Sequence, residues 1–179
     1  MPGRLPPPAL SVLLVLLVAI AAEGRAVADP PTCAAGAADR AAIVCEINAA
    51  RAEAGRLSLR SRSSLADAAH AHSSDMVERR YFAHESPEGE GPAERARRAG
   101  YMRHAGSWRV GEILLWSRGE PLTAARAVDM WLESPSHRRI LLSPRYRDVG
   151  AGPVDGAPVG DPAVGPATTV TVVFGRRGR

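Results

Sequence analysis

Between Ala37 and Ala54, the apolar positions Ile43, Ile47, Ala50 and Ala54 recur at the spacing of one helical face and predict a first helix. Gly55 closes it, and "RLSLR" (Arg56 to Arg60) reads as a short extended connection. A second stripe of Leu65, Ala69, His72 and Met76 predicts a helix to about Arg80, with Ser64 and Asp67 as a capping signature. "SPEGEGP" (Ser86 to Pro92) breaks the pattern and is a loop, and Pro92 suits the first position of a short helix stopped by Gly100. "WRVGEILLWS" (Trp108 to Ser117) reads as extended and largely buried. Pro121 then opens a helix through Trp131, with Ala125, Val128 and Leu132 on one face.

"WLESPSHRRILLSP" (Trp131 to Pro144) sets a problem of its own. Glu133 and His137 are four apart, as a helical pair would be. Ser134 precedes Pro135, however, and a residue before proline is pushed out of the helical region. One helix therefore ends at Glu133 or Ser134, and a short turn toward Leu142 begins at Ser136 or His137. Glu133 and His137 form the two lips of that break, where side chains are displayed. Beyond it, "RDVGAGPV" (Arg147 to Val154) reads as a strand whose glycines admit another backbone. Asp155 to Pro166 is a long hairpin loop, and the β-branched "TTVTVVFG" (Thr168 to Gly175) is the returning strand. Helices before and between strands make this an α+β layered domain.

The two ends change the picture. Arg4 precedes the apolar run Ala9 to Ala22, which "AVA" follows, an arrangement that reads as a secretory signal over residues 1–28 cut after Ala28. The run is shorter than the roughly 20 residues a spanning helix needs. Cleavage leaves about 150 residues, one domain's length. Loss of Arg4, Arg25 and Glu23 lowers the formal charge of +4 by one. The positive side chains are all Arg, a bias we attribute to the coding genome. The clusters "ERARR" (Glu94 to Arg98), "HRR" (His137 to Arg139) and the tail 176–179 are interleaved with acids or terminal. With aromatics at 4%, they do not make a nucleic-acid surface.

Cys33 and Cys45 suit one disulfide in an exported chain, tethering the segment 29–40 to the first helix. A metal site built on them is disfavoured, because no further Cys completes a set. His72 falls on the buried side of its helix, and the expectation is a core histidine satisfied by a backbone carbonyl. His70 points the other way, to solvent.

In order and spacing, "INAARAEAG", "AHSSDM", "YFAHESPEG", "AGY", "GEI", "WLESPSHRRILLSPRYRDVGAG" and "VVFG" resemble the CAP superfamily. That superfamily comprises the cysteine-rich secretory proteins, antigen-five allergens and plant pathogenesis-related proteins. The match spans about 41–175 and looks like the compact bacterial secreted branch. The resemblance implies an α-β-α sandwich, a three-stranded antiparallel sheet between helical layers. It also implies a cleft of two histidines and two glutamates. By motif these are His84 in "FAHESP", Glu112 in "GEI" and His137 in "SPSHR", with Glu133 as a candidate for the fourth place. Ile113 stands where the family usually has Asn.

Two functions follow. Two imidazoles and a carboxylate in a cleft can hold a divalent metal such as Zn²⁺ with a position left open, which would suit a metal-dependent, peptidase-like hydrolase. The chain has no "HExxH" or "GxSxG" motif to support that chemistry. The favoured reading is a secreted, extracellular binding module for a lipid, a sterol or another protein. Its variable surfaces would be "SPEGEGP" and Asp155 to Pro166. A third possibility, a hydrogen-bonded brace without ligand, applies to the same residues.

Overall fold

The computed structural model describes residues 32–161 and 165–178. The secretory signal expected over 1–28 lies outside them, as does part of the hairpin loop Asp155 to Pro166. Helix α1 spans Arg40–Glu53, strand β1 Arg60–Ser61 and helix α2 Ser63–Arg79. Helix α3 follows at Pro92–Arg98 and strand β2 at Ser107–Arg118. Helices α4 (Ala124–Glu133) and α5 (Pro135–Leu141) precede strands β3 (Asp148–Asp155) and β4 (Ala167–Gly178).

The sheet order is β1-β3-β4-β2. Strands β3, β4 and β2 pair antiparallel, as expected. The two-residue β1 adds a fourth strand, parallel to β3, where the sequence pattern predicts an extended connection only. The expected basic tail is not separate from the fold, because Arg176, Arg177 and Gly178 continue β4 and pair with Arg109, Trp108 and Ser107.

Alternation along β4 divides the core. Val170, Val172 and Phe174 face the layer of α1, α4 and α5, where Ile43, Ile47, Trp131 and Leu141 join them. Val173 faces α2 and α3 and packs with Leu65, Ala69, Ala96 and Tyr101. The result is a helix-sheet-helix sandwich. Helix α2 lies close on β3, because a Cβ at Gly150 or Gly152 would collide with the backbone of Ala66 or His70. The disulfide Cys33–Cys45 ties the N-terminal segment to α1, and Ala37 bridges to Thr123.

Two helix starts differ from expectation. Helix α2 begins at Ser63 after Arg62, with no side-chain cap, so Ser64 lies inside the helix. Helix α4 starts after Thr123, whose hydroxyl accepts from the Arg126 N–H, and Pro121 stays in the preceding loop. Its buried face is Ala124, Ala127, Val128 and Trp131, rotated from the face predicted. Alanines occur on every side of this helix, so small residues do not define its phase.

Candidate functional site

Glu112 sits in β2 opposite Val173, on the sheet face covered by α2 and α3. A carboxylate taken out of water there needs a charged partner. Helix α3 supplies Arg95, itself buried, whose Nη2 donates to the two Glu112 oxygens at 2.9 and 3.2 Å. The same guanidinium donates to the carbonyls of His84 at 2.7 Å and Glu90 at 2.6 Å. Arg95 thus fixes both the carboxylate and the loop that carries His84.

His84 follows α2 on that loop and brings Nδ1 to within 2.9 Å of Glu112 Oε1. With a carboxylate as acceptor, Nδ1 is the donor, and in the neutral ring Nε2 is then the nitrogen with a free lone pair. The ring is about half exposed while Glu112 is closed off, so Nε2 is the accessible end of the pair.

His137 comes from the opposite helical layer. Ser134 closes α4 and opens α5 in an extended conformation, with Pro135 in the first turn of α5. The break expected from Ser134-Pro135 is therefore present, but the second helix begins at Pro135, ahead of the expected Ser136 or His137, and His137 lies in its first turn. It is half-buried. Burial first, and the nearby His84 charge second, hold its pKa below the ordinary imidazole value. Both effects favour the uncharged ring, the form that ligates metals. Strand β2 is an edge of the sheet, with α3 and α5 both packed on it, so groups from both layers can meet there.

Glu133 goes elsewhere: it is exposed and pairs with Arg126 at 3.4 Å. The structure thus joins His84 to Glu112 and turns Glu133 to another partner, while His137 is linked to His84 through the charge effect on its pKa. Among the described residues, no three His, Cys, Asp or Glu side chains are grouped to hold a metal ion.

His72 lies behind this site. It is buried, and its Nε2 meets the Ala83 carbonyl at 2.9 Å, the satisfied core histidine expected from its helical phase. Tyr81 approaches the other ring nitrogen at 3.5 Å and donates to Asp75. The residue that sequence reasoning missed is Arg95. "ERARR" reads as a solvated charge cluster, yet Arg95 lies on the face that Pro92, Ala96 and Ala99 define at helical spacing. That stripe was the available signal.

The family model described as the cysteine-rich secretory protein family, CAP, matches residues 44–174. Uncharacterized protein YkwD of Bacillus subtilis (strain 168) is 30% identical over 108 residues, 60% of this chain and 39% of YkwD. An extracellular protein containing a SCP domain from Bacillus anthracis str. Ames superposes with a TM-score of 0.60 at 25% identity. That match covers 77% of this chain and 40% of the other. An outer surface protein from Borrelia burgdorferi gives a TM-score of 0.58 at 23% identity, covering 76% and 90% of the two chains. The last likeness shows the fold. This chain spans about two fifths of the length of the two Bacillus relatives.

Proposed function

The chain belongs to the CAP family of cysteine-rich secretory proteins, and from that premise we propose a secreted binding module with a two-histidine metal site. The observation that carries this reading is the engagement of Glu112. Both of its oxygens are held by Arg95, and one also accepts from His84. The donors left for a divalent ion are the His84 Nε2 and the His137 ring. Glu112 is then the carboxylate behind a ligating histidine, fixing its tautomer and orientation.

A bound Zn²⁺ would supply Lewis acidity to whatever entered its open positions. Catalytic zinc sites, however, generally rest on three protein ligands. Here the third candidate is buried and already charge-paired. For Glu112 to ligate the ion, or to act as a base toward water, it would have to leave Arg95 and strand a buried guanidinium. Two imidazoles suit reversible holding better than turnover. The activity left to the domain is binding, of the lipid, sterol or protein class that its family resemblance suggests. Secretion agrees with relatives described as extracellular and outer surface proteins.

The test is calorimetric titration of Zn²⁺ into the protein and its His84→Ala, His137→Ala and Glu112→Gln variants, with circular dichroism to verify folding. One-site binding should vanish in both histidine variants and weaken about 10- to 100-fold in Glu112→Gln. Loss in Glu112→Gln as complete as in the histidine variants would make Glu112 a ligand and favour the hydrolase. Binding indifferent to all three substitutions would refute the site.

A further inference from the structure

On the α2 and α3 side of the sheet, at the end of β4, a pocket of about 400 Å³ is lined by Arg60, Arg62, Arg103, His104, Asp148 and Arg177, with Ala105 and Gly178. These cationic residues come from three separate stretches of the chain. Arg60 belongs to β1 and Arg62 caps α2. Arg103 and His104 lie in the turn before β2, and Arg177 is near the end of β4. Four arginines thus line a pocket with one carboxylate, and no second acid lines it.

Asp148 is buried and fully used. Its Oδ1 accepts from Arg60 Nε at 3.2 Å and from Arg62 Nε at 3.0 Å, and its Oδ2 accepts from the Tyr101 hydroxyl at 2.8 Å. Each of these arginines is held by its Nε alone. Among the described residues neither has an acceptor for its Nη groups, the outer fork that binds oxyanions bidentately. Arg177 stacks over the Tyr101 ring at 4.9 Å, and Arg103 folds over Gly100. Neither has an acidic partner among the described residues. The buried carboxylate acts as a pedestal: it neutralises one charge and aims two forks, and the surplus of positive charge faces the pocket. His104 adds a second observation. Its φ is 60°, a backbone conformation that residues with side chains seldom adopt and that concentrates at functional positions.

We propose that this pocket binds a phosphoryl anion, a phosphate mono- or diester, at a site separate from His84 and His137. Its affinity comes from oriented guanidinium donors on the phosphoryl oxygens. The all-arginine composition does not carry the proposal, since arginine is the chain's general cation. What carries it is that four of them line one pocket whose single acid is already satisfied.

The experiment is calorimetric titration of sodium pyrophosphate in low-salt buffer into the protein and two charge-matched variants. Arg103→Ala/Arg177→Ala empties the pocket of two arginines that have no acidic partner among the described residues. Arg109→Ala/Arg176→Ala removes the same charge from a different surface cleft, on β2 and β4. One-site binding that falls tenfold or more in the first variant, and stays within about twofold in the second, supports the proposal. Equal loss in both variants reveals general charge attraction and overturns it, as does an absence of binding at millimolar pyrophosphate. Sedimentation with phosphatidylglycerol vesicles identifies the source. Binding that pyrophosphate displaces places the phosphoryl group on a lipid, whereas calorimetric binding without vesicle binding makes it a free anion. Vesicle binding indifferent to pyrophosphate, with no calorimetric site, refutes the pocket.

Discussion

Arg95 carries more of the site than any other residue. It holds Glu112 in an environment closed to water, and it ties down two carbonyls of the loop that presents His84. Removing one partner of a buried ion pair leaves the other charge uncompensated, which costs about 3–5 kcal/mol. We therefore expect Arg95→Ala to lose a stability of that order in urea unfolding. Arg95→Met/Glu112→Leu should lose markedly less, because it leaves no buried charge behind. Equal losses would mean that Arg95 stabilises through the loop carbonyls rather than through the carboxylate. Glu112 would then be a passenger.

At the scale of elements, α2 is set by glycine on one side and histidine on the other. A methyl group at Gly152 would enter the backbone of α2 itself, which cannot step aside as a flexible side chain can. Gly152→Ala should lower stability by about 3 kcal/mol, at the upper end of overpacking costs. Denaturant midpoints would register the change. On the same helix, burial pushes the His72 pKa below its ordinary value. Its neutral form is therefore favoured by folding. The resulting stability is fully present above the unfolded pKa of about 6.5 and is lost as the pH falls through the window below it. The melting temperature should drop from pH 7 to pH 5, and His72→Gln should flatten part of that slope. A slope unchanged by His72→Gln would assign the effect to other groups.

These elements also show how much could be read from the chain. The burial of His72 followed from its spacing to Leu65, Ala69 and Met76, and the α4–α5 break followed from Ser134-Pro135. Gly150 and Gly152 announced a close backbone approach because a strand gains nothing else from them. Arg51 and Arg95 went unread, because an arginine on an apolar face resembles a surface charge until its acceptors are known. For Arg51 these are the carbonyls of Leu57, Leu141 and Ser143, from 6 to 92 residues away in the chain. The phase of α4 was blurred by alanine, and β1 is too short to leave a pattern. Family likeness singled out His84, Glu112 and His137. It could not say that Glu112 belongs to Arg95.

For the molecule as a whole, one covalent tie fastens the N-terminal segment and one shared edge serves both layers. The disulfide joins the N-terminal segment to α1, and that segment reaches the core through Ala38. Replacing Cys33 and Cys45 with Ala should cost up to about 3 kcal/mol, the chain-entropy value for a loop of this size. A change below a few tenths of a kcal/mol would show that the segment frays independently of the domain.

The shared edge is β2, where α3 with Arg95 and α5 with His137 flank the same strand. There Glu112 is proposed to orient His84, and the two histidines to hold the metal. The most direct measurement is two-dimensional NMR of the ¹⁵N-labelled imidazoles, before and after one equivalent of Zn²⁺. The account predicts His84 as the Nδ1–H tautomer throughout, with zinc shifting its Nε2 and a His137 ring nitrogen and leaving His72 unmoved. Zinc on Nδ1 of His84, which would require Glu112 to let go, or no shift at His84 and His137, would contradict it.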